Sequence, residues 1–127
     1  MSEMDCYLQS LGARIGEQVE VPFKPVSAGD WKPRPRFCHE NVDYWVASQY
    51  GREAVRGWLV DGTDGCDGFL VVAHSVVNEG GDLYDITPLD YAPFESNPRR
   101  WFLRHNGMTE EFDAMRKSPS HWVYRQR

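Results

Sequence analysis

The sequence contains no long hydrophobic run and no surplus of basic residues. No apolar stretch in its 127 residues approaches the roughly 18 residues that a membrane-spanning helix needs, and residues 1–5 lack the basic and apolar regions of a signal peptide. The net charge is -5, whereas phosphate binding needs a basic surface that releases counterions. We therefore expect a cytoplasmic protein with neither a membrane nor a nucleic acid as partner.

Cysteine pairs are also lacking. The chain has three cysteines, Cys6, Cys38 and Cys66, and their wide spacing matches neither a disulfide framework nor a paired-cysteine zinc site. Internal repeats and low-complexity segments are missing as well. The odd cysteine count leaves at least one thiol free in any disulfide scheme.

What is present indicates a globular protein. Hydrophobic residues make up 41% of the chain and aromatic residues 13%, which is too apolar for a disordered segment. The length is that of one domain and is enough to bury most of the surface that the unfolded chain exposes. We therefore expect a single domain over residues 1–127 with one compact core.

Hydrophobic periodicity predicts an α+β fold. Apolar residues three and four positions apart indicate helices over residues 3–15 and 39–50, and residues 109–117 indicate a third helix with Thr109 as its N-cap. The Gly-rich residues 78–82 predict a hairpin between the strands on either side of them. Apolar runs with strand periodicity predict strands at residues 19–24, 58–60, 69–77, 83–86, 101–105 and 122–124.

A cysteine, a histidine and an acid lie at positions suited to nucleophilic catalysis. Cys38 immediately precedes the second predicted helix, where unpaired N–H groups and the helix dipole stabilise a thiolate and can hold an oxyanion. His74 lies on a predicted strand and Asp85 on its hairpin partner. An acid so placed fixes the tautomer and orientation of the imidazole that takes the thiol proton. The sequence therefore predicts a triad of Cys38, His74 and Asp85.

This pattern resembles the papain-like superfamily, especially its transglutaminase-like branch, whose members carry Cys, His and Asp in this chain order. Residues 38–42 read Cys-His-Glu-Asn-Val, and residues 57–58 read Gly-Trp. Residues 73–77 then read Ala-His-Ser-Val-Val, and residues 85–88 read Asp-Ile-Thr-Pro. Over residues 36–90 the chain is thus similar to a group of small bacterial proteins with a Cys-His-x-Asn-Val segment, a His-centred strand and an Asp-Ile-Thr-Pro end.

The resemblance implies a fold and an activity. The fold would be a papain-like core, in which a helix that starts at the cysteine packs on an antiparallel sheet carrying the histidine and the acid. The activity would be that of a cysteine-dependent hydrolase or acyltransferase acting on an amide or ester in a small molecule or peptide. Cys38 would be the nucleophile, His74 the general base and Asp85 the orienting acid. No cofactor or metal is expected in such a site.

The source of the oxyanion donor is less obvious in this sequence. Papain-type proteases use a glutamine upstream of the cysteine, and no such glutamine is evident here. A donor must then come from the backbone, Asn41 or Trp31. Asn41 and His39 lie in the first helical turn, where Asn41 either caps the helix or contacts the substrate. His39 either points away or stacks near the substrate entrance.

The basic residues form only small local clusters. Arg34 and Arg36 alternate with prolines, and Arg99 and Arg100 follow another proline. These pairs would line a site for an anionic substrate, but arginines beside prolines are more often solvated loop residues. We therefore expect the four side chains to lie in solvent.

Three other interpretations remain open. Cys38, His39 and His74, with Asp85, would be zinc ligands, although adjacent residues on one helical turn point about 100 degrees apart. An inactive papain-like domain would keep the triad without a productive cleft. A non-enzymatic interaction module would need no activated thiol and would instead present a face of aromatic residues: Trp31, Tyr44, Trp45, Tyr50, Trp58, Trp101 and Trp122.

Overall fold

The computed structural model of the chain describes residues 2–62, 67–90 and 99–126. Within these residues the chain forms three α-helices, one 3-10 helix and a six-stranded antiparallel sheet, which confirms the α+β class. The helices are α1 (Glu3–Ala13), α2 (Cys38–Ala47) and α3 (Thr109–Met115), and the 3-10 helix is Ile15–Glu17. The strands are β1 (Val19–Glu20), β2 (Arg52–Gly62), β3 (Gly68–Glu79), β4 (Asp82–Tyr84), β5 (Trp101–Arg104) and β6 (Ser120–Tyr124).

The centre of the sheet is the long antiparallel pair of β2 and β3, with β5 and then β1 on the outer side of β2. Both β6 and β4 pair with the other side of β3. β6 covers β3 from Gly68 to Val72, and β4 covers it from Val77 to Glu79. Among the described residues, no strand therefore pairs with residues 73–76 along this edge, and the gap lies at His74.

Helices α1 and α3 cover one face of the sheet. α1 begins with a capping box in which Ser2 and Asp5 bond to each other's backbone N–H groups, and it buries Tyr7 and Leu11, four positions apart. These side chains pack with the fully buried Trp58 of β2. Burying each large apolar side chain in such a cluster contributes about 1.5–3 kcal/mol. The other members of the cluster are Ile15, Val60, Val71, Ala73, Leu103, Phe112, Met115 and Val123.

Helix α2 is held by a second apolar cluster at the other end of β3. Val42 of α2 packs with Val77 of β3, Tyr84 of β4 and Ile86, which follows β4. Because Val42 is four positions after Cys38, one face of α2 carries both residues toward the sheet. This packing brings the start of the helix to residues 73–76, where one edge of β3 has no partner strand among the described residues.

Position 57 of β2 requires a glycine, because atoms of β5 approach it too closely for a side chain. It lies directly opposite His74, so both positions belong to one face of the sheet. A Cβ atom at this position would lie 2.6 Å from Cζ of Phe102 and would also collide with the carbonyl oxygen of Leu103. The ring of Phe102 therefore occupies the space that a side chain would take beside His74.

Most differences from the sequence predictions concern the ends of elements. β2 spans Arg52–Gly62 rather than residues 58–60, and β1 has two residues, since from Pro22 onward the backbone bonds to Asp85 instead of β5. The N-cap of α3 is Met108 rather than Thr109, which is the first helical residue. The hairpin of β3 and β4 is confirmed, but β4 ends at Tyr84, so Asp85 follows this strand instead of lying on it as predicted. The turn expected over residues 61–68 lies partly outside the described residues, as does Cys66.

No helix in the described part of the chain has the length and apolar character needed to cross a membrane.

Candidate active site

The thiol of Cys38 lies at the first residue of α2, beside the gap in the pairing of β3. Its Sγ is 4.0 Å from the carbonyl oxygen of Ala73, and the residue is 8% exposed. The N-cap residue Phe37 has no side-chain hydrogen bond to the first turn. The N–H groups at the start of α2 therefore lack a side-chain cap at the point where the thiol lies.

His74 and Asp85 form a buried pair next to this thiol. Nε2 of His74 lies 2.8 Å from Oδ2 of Asp85, and the two side chains are 1% and 0% exposed. The other ring nitrogen, Nδ1, has no hydrogen-bond partner among the described residues. A buried, unpartnered nitrogen is uncommon in proteins, and here it belongs to the ring that interacts with Cys38.

Asp85 is positioned by its backbone as well as by its side chain. It forms a parallel bridge with Phe23, in which its N–H donates to the carbonyl oxygen of Pro22 and its own carbonyl accepts from Lys24. Its Oδ1 accepts the N–H of Thr87 at 3.1 Å. The segment of residues 19–24, predicted as an edge strand, thus contributes to the site by holding the backbone of Asp85 in place.

Arg100 is a member of this site that the sequence prediction missed. Its Nη1 donates to Oδ2 of Asp85 at 2.8 Å and to the carbonyl oxygen of Thr87 at 2.6 Å, and its guanidinium lies over the ring of Phe23. Arg100 is 8% exposed, so its predicted place in solvent is wrong. The sequence did not reveal the burial of Arg100, because the Asp85 carboxylate that pairs with it lies on a different segment of the chain. Arg99, by contrast, has a side chain that is 70% exposed.

The charges of the site shift the pKa values of its three ionisable groups. Burial alone would raise the pKa of the Cys38 thiol, but the His74 ring and hydrogen bonding from His39 outweigh burial and lower that pKa from 9.0 to about 6. Burial alone would lower the pKa of His74, but Asp85 and the thiolate raise it from 6.5 to about 10. Burial likewise opposes ionisation of Asp85, yet His74 and Arg100 hold the pKa of that carboxyl below 3.8. At neutral pH the site therefore contains a thiolate, an imidazolium and a carboxylate.

Cys38 and His74 interact without an aligned hydrogen bond in this arrangement. A hydrogen bond from His74 helps to lower the pKa of the Cys38 thiol, but Nδ1 of His74 forms no well-aligned bond with any described residue. The thiol and the ring are therefore neighbours whose hydrogen bond is poorly aligned. Such bonds in ligand-free sites tighten when substrate binds, so the geometry is compatible with proton transfer.

A cavity of about 780 Å³ opens beside the thiol. Its walls come from Arg36 and the start of α2, from residues 72–74 of β3, from Thr87 after β4, and from the segment between α3 and β6. This volume is within the range of sites for small ligands. The lining residues are Arg36, Cys38, His39, Glu40, Val72, Ala73, His74, Thr87, Asp113, Arg116, Lys117 and Pro119.

Asn41, one of the predicted substrate contacts, is occupied by bonds to its own surroundings. Its side-chain nitrogen donates to the carbonyl oxygen of Arg34 at 2.8 Å and to Oγ1 of Thr87 at 3.1 Å. Its side-chain oxygen accepts the N–H of Arg34 at 3.1 Å. Asn41 therefore ties the loop before α2 to the segment after β4, and no donor remains free for an oxyanion.

Trp31, the other predicted side-chain donor, lies away from the cavity. Its ring stacks on Tyr44 at 4.2 Å between centroids and on Trp45 at 6.2 Å. These residues are six and seven positions beyond Cys38, which places them about 10 Å along the helix. Trp31 is not among the residues that line the cavity. The structure therefore places Trp31 against α2 rather than at the cavity, which does not support the predicted role as an oxyanion donor.

His39 does line the cavity, and its ring is fixed from two sides. Its Nδ1 lies 2.6 Å from Oγ of Ser75, and its ring meets that of Phe112 edge-on at 5.8 Å between centroids. Arg56 donates to the same Ser75 oxygen at 2.8 Å and to Oδ1 of Asp43 at 2.6 Å. The prediction that His39 lies near the substrate entrance is therefore compatible with its position.

The positions of the side chains also concern two other interpretations, a zinc site and an aromatic binding face. Among the described residues, no three His, Cys, Asp or Glu side chains are grouped as a metal site. Of the aromatic residues proposed as a binding face, Trp58 is fully buried in the core, and Trp31 stacks within the protein. Tyr50 and Trp122 are exposed.

Comparisons of the chain with protein-family models, with curated proteins and with solved structures found no match. The function is therefore inferred from the side chains of the site and their arrangement.

Proposed function

We propose that this protein is a cysteine-dependent hydrolase or acyltransferase that uses Cys38, His74 and Asp85 on an amide or ester substrate. The observation that supports this most strongly is the meeting of three features at one cavity. A thiol with a lowered pKa lies at a helix start, a buried His–Asp pair lies beside it, and the cavity opens on both. Structural cysteines in apolar surroundings have a raised pKa instead.

The reaction begins with attack of the Cys38 thiolate on the substrate carbonyl carbon. A carbon–sulfur bond forms, and the carbonyl electron pair moves to the oxygen, which the N–H groups at the start of α2 stabilise. When this oxyanion collapses, the bond to the leaving amine or alcohol breaks and the His74 imidazolium supplies its proton. The product is a thioester on Cys38 with a neutral His74.

The second half of the reaction releases the acyl group. Neutral His74 takes a proton from water or an amine, which attacks the thioester and expels the Cys38 thiolate. Asp85 accepts the Nε2–H of the ring throughout, so Nδ1 is the nitrogen that exchanges protons. Arg100 keeps the carboxylate ionised and oriented without touching the substrate.

A papain-like architecture is the fold label that we propose. It is supported by the chain order of cysteine, histidine and acid, by a helix that starts at the cysteine, and by an antiparallel sheet that carries the histidine. The similarity of residues 36–90 to the small bacterial group with the Cys-His-x-Asn-Val segment is part of the same proposal.

The test is the pH dependence of iodoacetamide labelling at Cys38, read site by site by mass spectrometry. We expect a midpoint near 6, because the thiolate is the reactive form. The exposed Cys6 is labelled in every sample and is an internal control. A Cys38 midpoint at or above that of Cys6 would falsify the activated-nucleophile proposal and favour a structural cysteine.

A second measurement asks whether Cys38 also performs acyl transfer. p-Nitrophenyl acetate should transfer its acetyl group to Cys38, with release of p-nitrophenolate and a mass increase on that residue. The Cys38→Ala variant should lose this labelling while keeping its fold by circular dichroism. Acetylation of surface lysines with an untouched Cys38 would argue against the function.

A further inference from the structure

Four side chains form a hydrogen-bonded relay that ends at the active-site cavity: Asp43, Arg56, Ser75 and His39. Ser75 is fully buried on β3, and it bonds to both His39 and Arg56. Triad chemistry requires none of these four side chains, yet the relay holds a second imidazole at the thiol. Of the three side chains predicted to contact substrate, Asn41 is committed to its own bonds, Trp31 stacks on α2, and His39 lines the cavity.

The direction of the hydrogen bonds follows from what each group can do. A guanidinium only donates, so the Arg56 bond occupies one lone pair of the Ser75 oxygen. The charge of Arg56 also polarises the hydroxyl, which makes its O–H a stronger donor. A Ser75 hydroxyl that donates its hydrogen bond to Nδ1 of His39, 2.6 Å away, satisfies both groups and makes that nitrogen an acceptor. In a neutral ring with Nδ1 as acceptor, the proton lies on Nε2.

We infer that His39 is an oxyanion donor of this site, with its Nε2–H directed at the substrate carbonyl oxygen, and that Ser75 and Arg56 are positioning residues that select this tautomer. The inference rests on the proposed function of Cys38. Because Nδ1 is held by Ser75, Nε2 is the nitrogen that faces the Cys38 thiol and the cavity, and its N–H turns to the substrate oxygen when the thiolate attacks. The edge-on contact with Phe112 keeps the ring in this orientation. His39 then performs the role that a glutamine side chain has in papain-type proteases.

The experiment compares two reactions of the same thiolate. Acylation by p-nitrophenyl acetate passes through an oxyanion, whereas alkylation by iodoacetamide does not. Both rates are measured at about pH 9, where the thiolate is formed even if the pKa of Cys38 moves up after substitution. For His39→Ala we expect acylation to fall about 100-fold or more and alkylation to change by less than about threefold. His39→Gln, which keeps an N–H donor, should recover most of the acylation rate.

Ser75 tests the positioning role separately. In Ser75→Ala we expect acylation to fall by about tenfold with alkylation unchanged, because the His39 tautomer is no longer selected. Nitrogen-15 spectra of the His39 ring in the full-length protein should show an unprotonated Nδ1 and a protonated Nε2. In Ser75→Ala the same spectra should show a mixture of tautomers.

The possible results distinguish a failure of the donor role of His39 from a failure of the proposed function of Cys38. If the parent protein is acylated at Cys38 but His39→Ala slows acylation and alkylation equally, the function stands and the donor role of His39 is wrong. A proton found on Nδ1 of His39 in the parent also overturns the inference. If Cys38 of the parent accepts no acetyl group, the proposed function fails and this inference fails with it.

Discussion

Nε2 of His74 lies 2.8 Å from Oδ2 of Asp85, and neither side chain has more than 1% of its surface exposed to solvent. A carboxylate buried in this way is costly unless it is paired and hydrogen-bonded. Asp85 meets this condition through His74, Arg100 and the N–H of Thr87. The pair therefore stabilises a charged imidazole at the position where Cys38 needs one.

His74→Ala should raise the pKa of Cys38. Its ring provides the largest favourable effect on the thiolate, and without it the effect of burial is opposed mainly by His39. We expect the alkylation midpoint to move from about 6 toward 9.0, and labelling at neutral pH to slow by about tenfold or more. Asp85→Asn should shift the midpoint in the same direction by a smaller amount. A midpoint unchanged by both substitutions would mean that the pair does not activate the thiol.

Arg100→Met should destabilise the fold and Arg99→Met should not. Removing Arg100 leaves the buried carboxylate of Asp85 without its guanidinium, and breaking a buried pair in this way costs about 3–5 kcal/mol. Arg99 is the matched control, because its exposed contact with Glu20 at 3.9 Å contributes about 1 kcal/mol or less. Urea unfolding of both variants measures the difference. Equal losses of stability would show that Arg100 is not the partner that keeps Asp85 charged.

Asn41→Ala should lower stability because the amide joins Arg34 to Thr87. The substitution removes the bonds of Asn41 to the buried Thr87 hydroxyl and to the partly buried backbone groups of Arg34, at a cost of about 1–3 kcal/mol. We expect a lower Tm, together with slower acylation of Cys38 as the loop before α2 loosens. If acylation slows while Tm is unchanged, Asn41 contacts the substrate, which is the role that the sequence left open.

The thiolate and the imidazolium should stabilise the fold most between about pH 6 and pH 10. The lowered pKa of Cys38 contributes stability that is fully present above its ordinary 9.0 and is lost as the pH falls through about 6. The raised pKa of His74 contributes stability that is fully present below 6.5 and is lost as the pH rises through about 10. Thermal unfolding of the parent and of Cys38→Ala is measured from about pH 5 to about pH 11. The Tm of the parent relative to that of Cys38→Ala should be highest in the middle of this range and should fall toward both ends. A constant difference would contradict the charged pair.

The sequence by itself determined the local features of the protein. The periodicity of apolar residues placed three helices and most strands, and Gly80 and Gly81, with φ of 62° and 93°, form the turn that joins β3 to β4. The start of α2 at Cys38 and the hairpin that brings Asp85 toward His74 also follow from neighbouring residues. The three predicted catalytic residues could therefore be identified by position, because helix starts and hairpins depend on short stretches of chain.

Only the tertiary structure decided what surrounds those residues. The burial of Arg100 beside Asp85 and the contacts of Trp31 with α2 join segments that no local pattern relates. The gap in the pairing of β3 arises because β4 and β6, far apart in sequence, share one edge of that strand. Hydrogen bonds and ion pairs between such segments form only when packing brings them together. The sequence therefore specifies the charged side chains, and the fold determines which of them are buried and which groups they pair with.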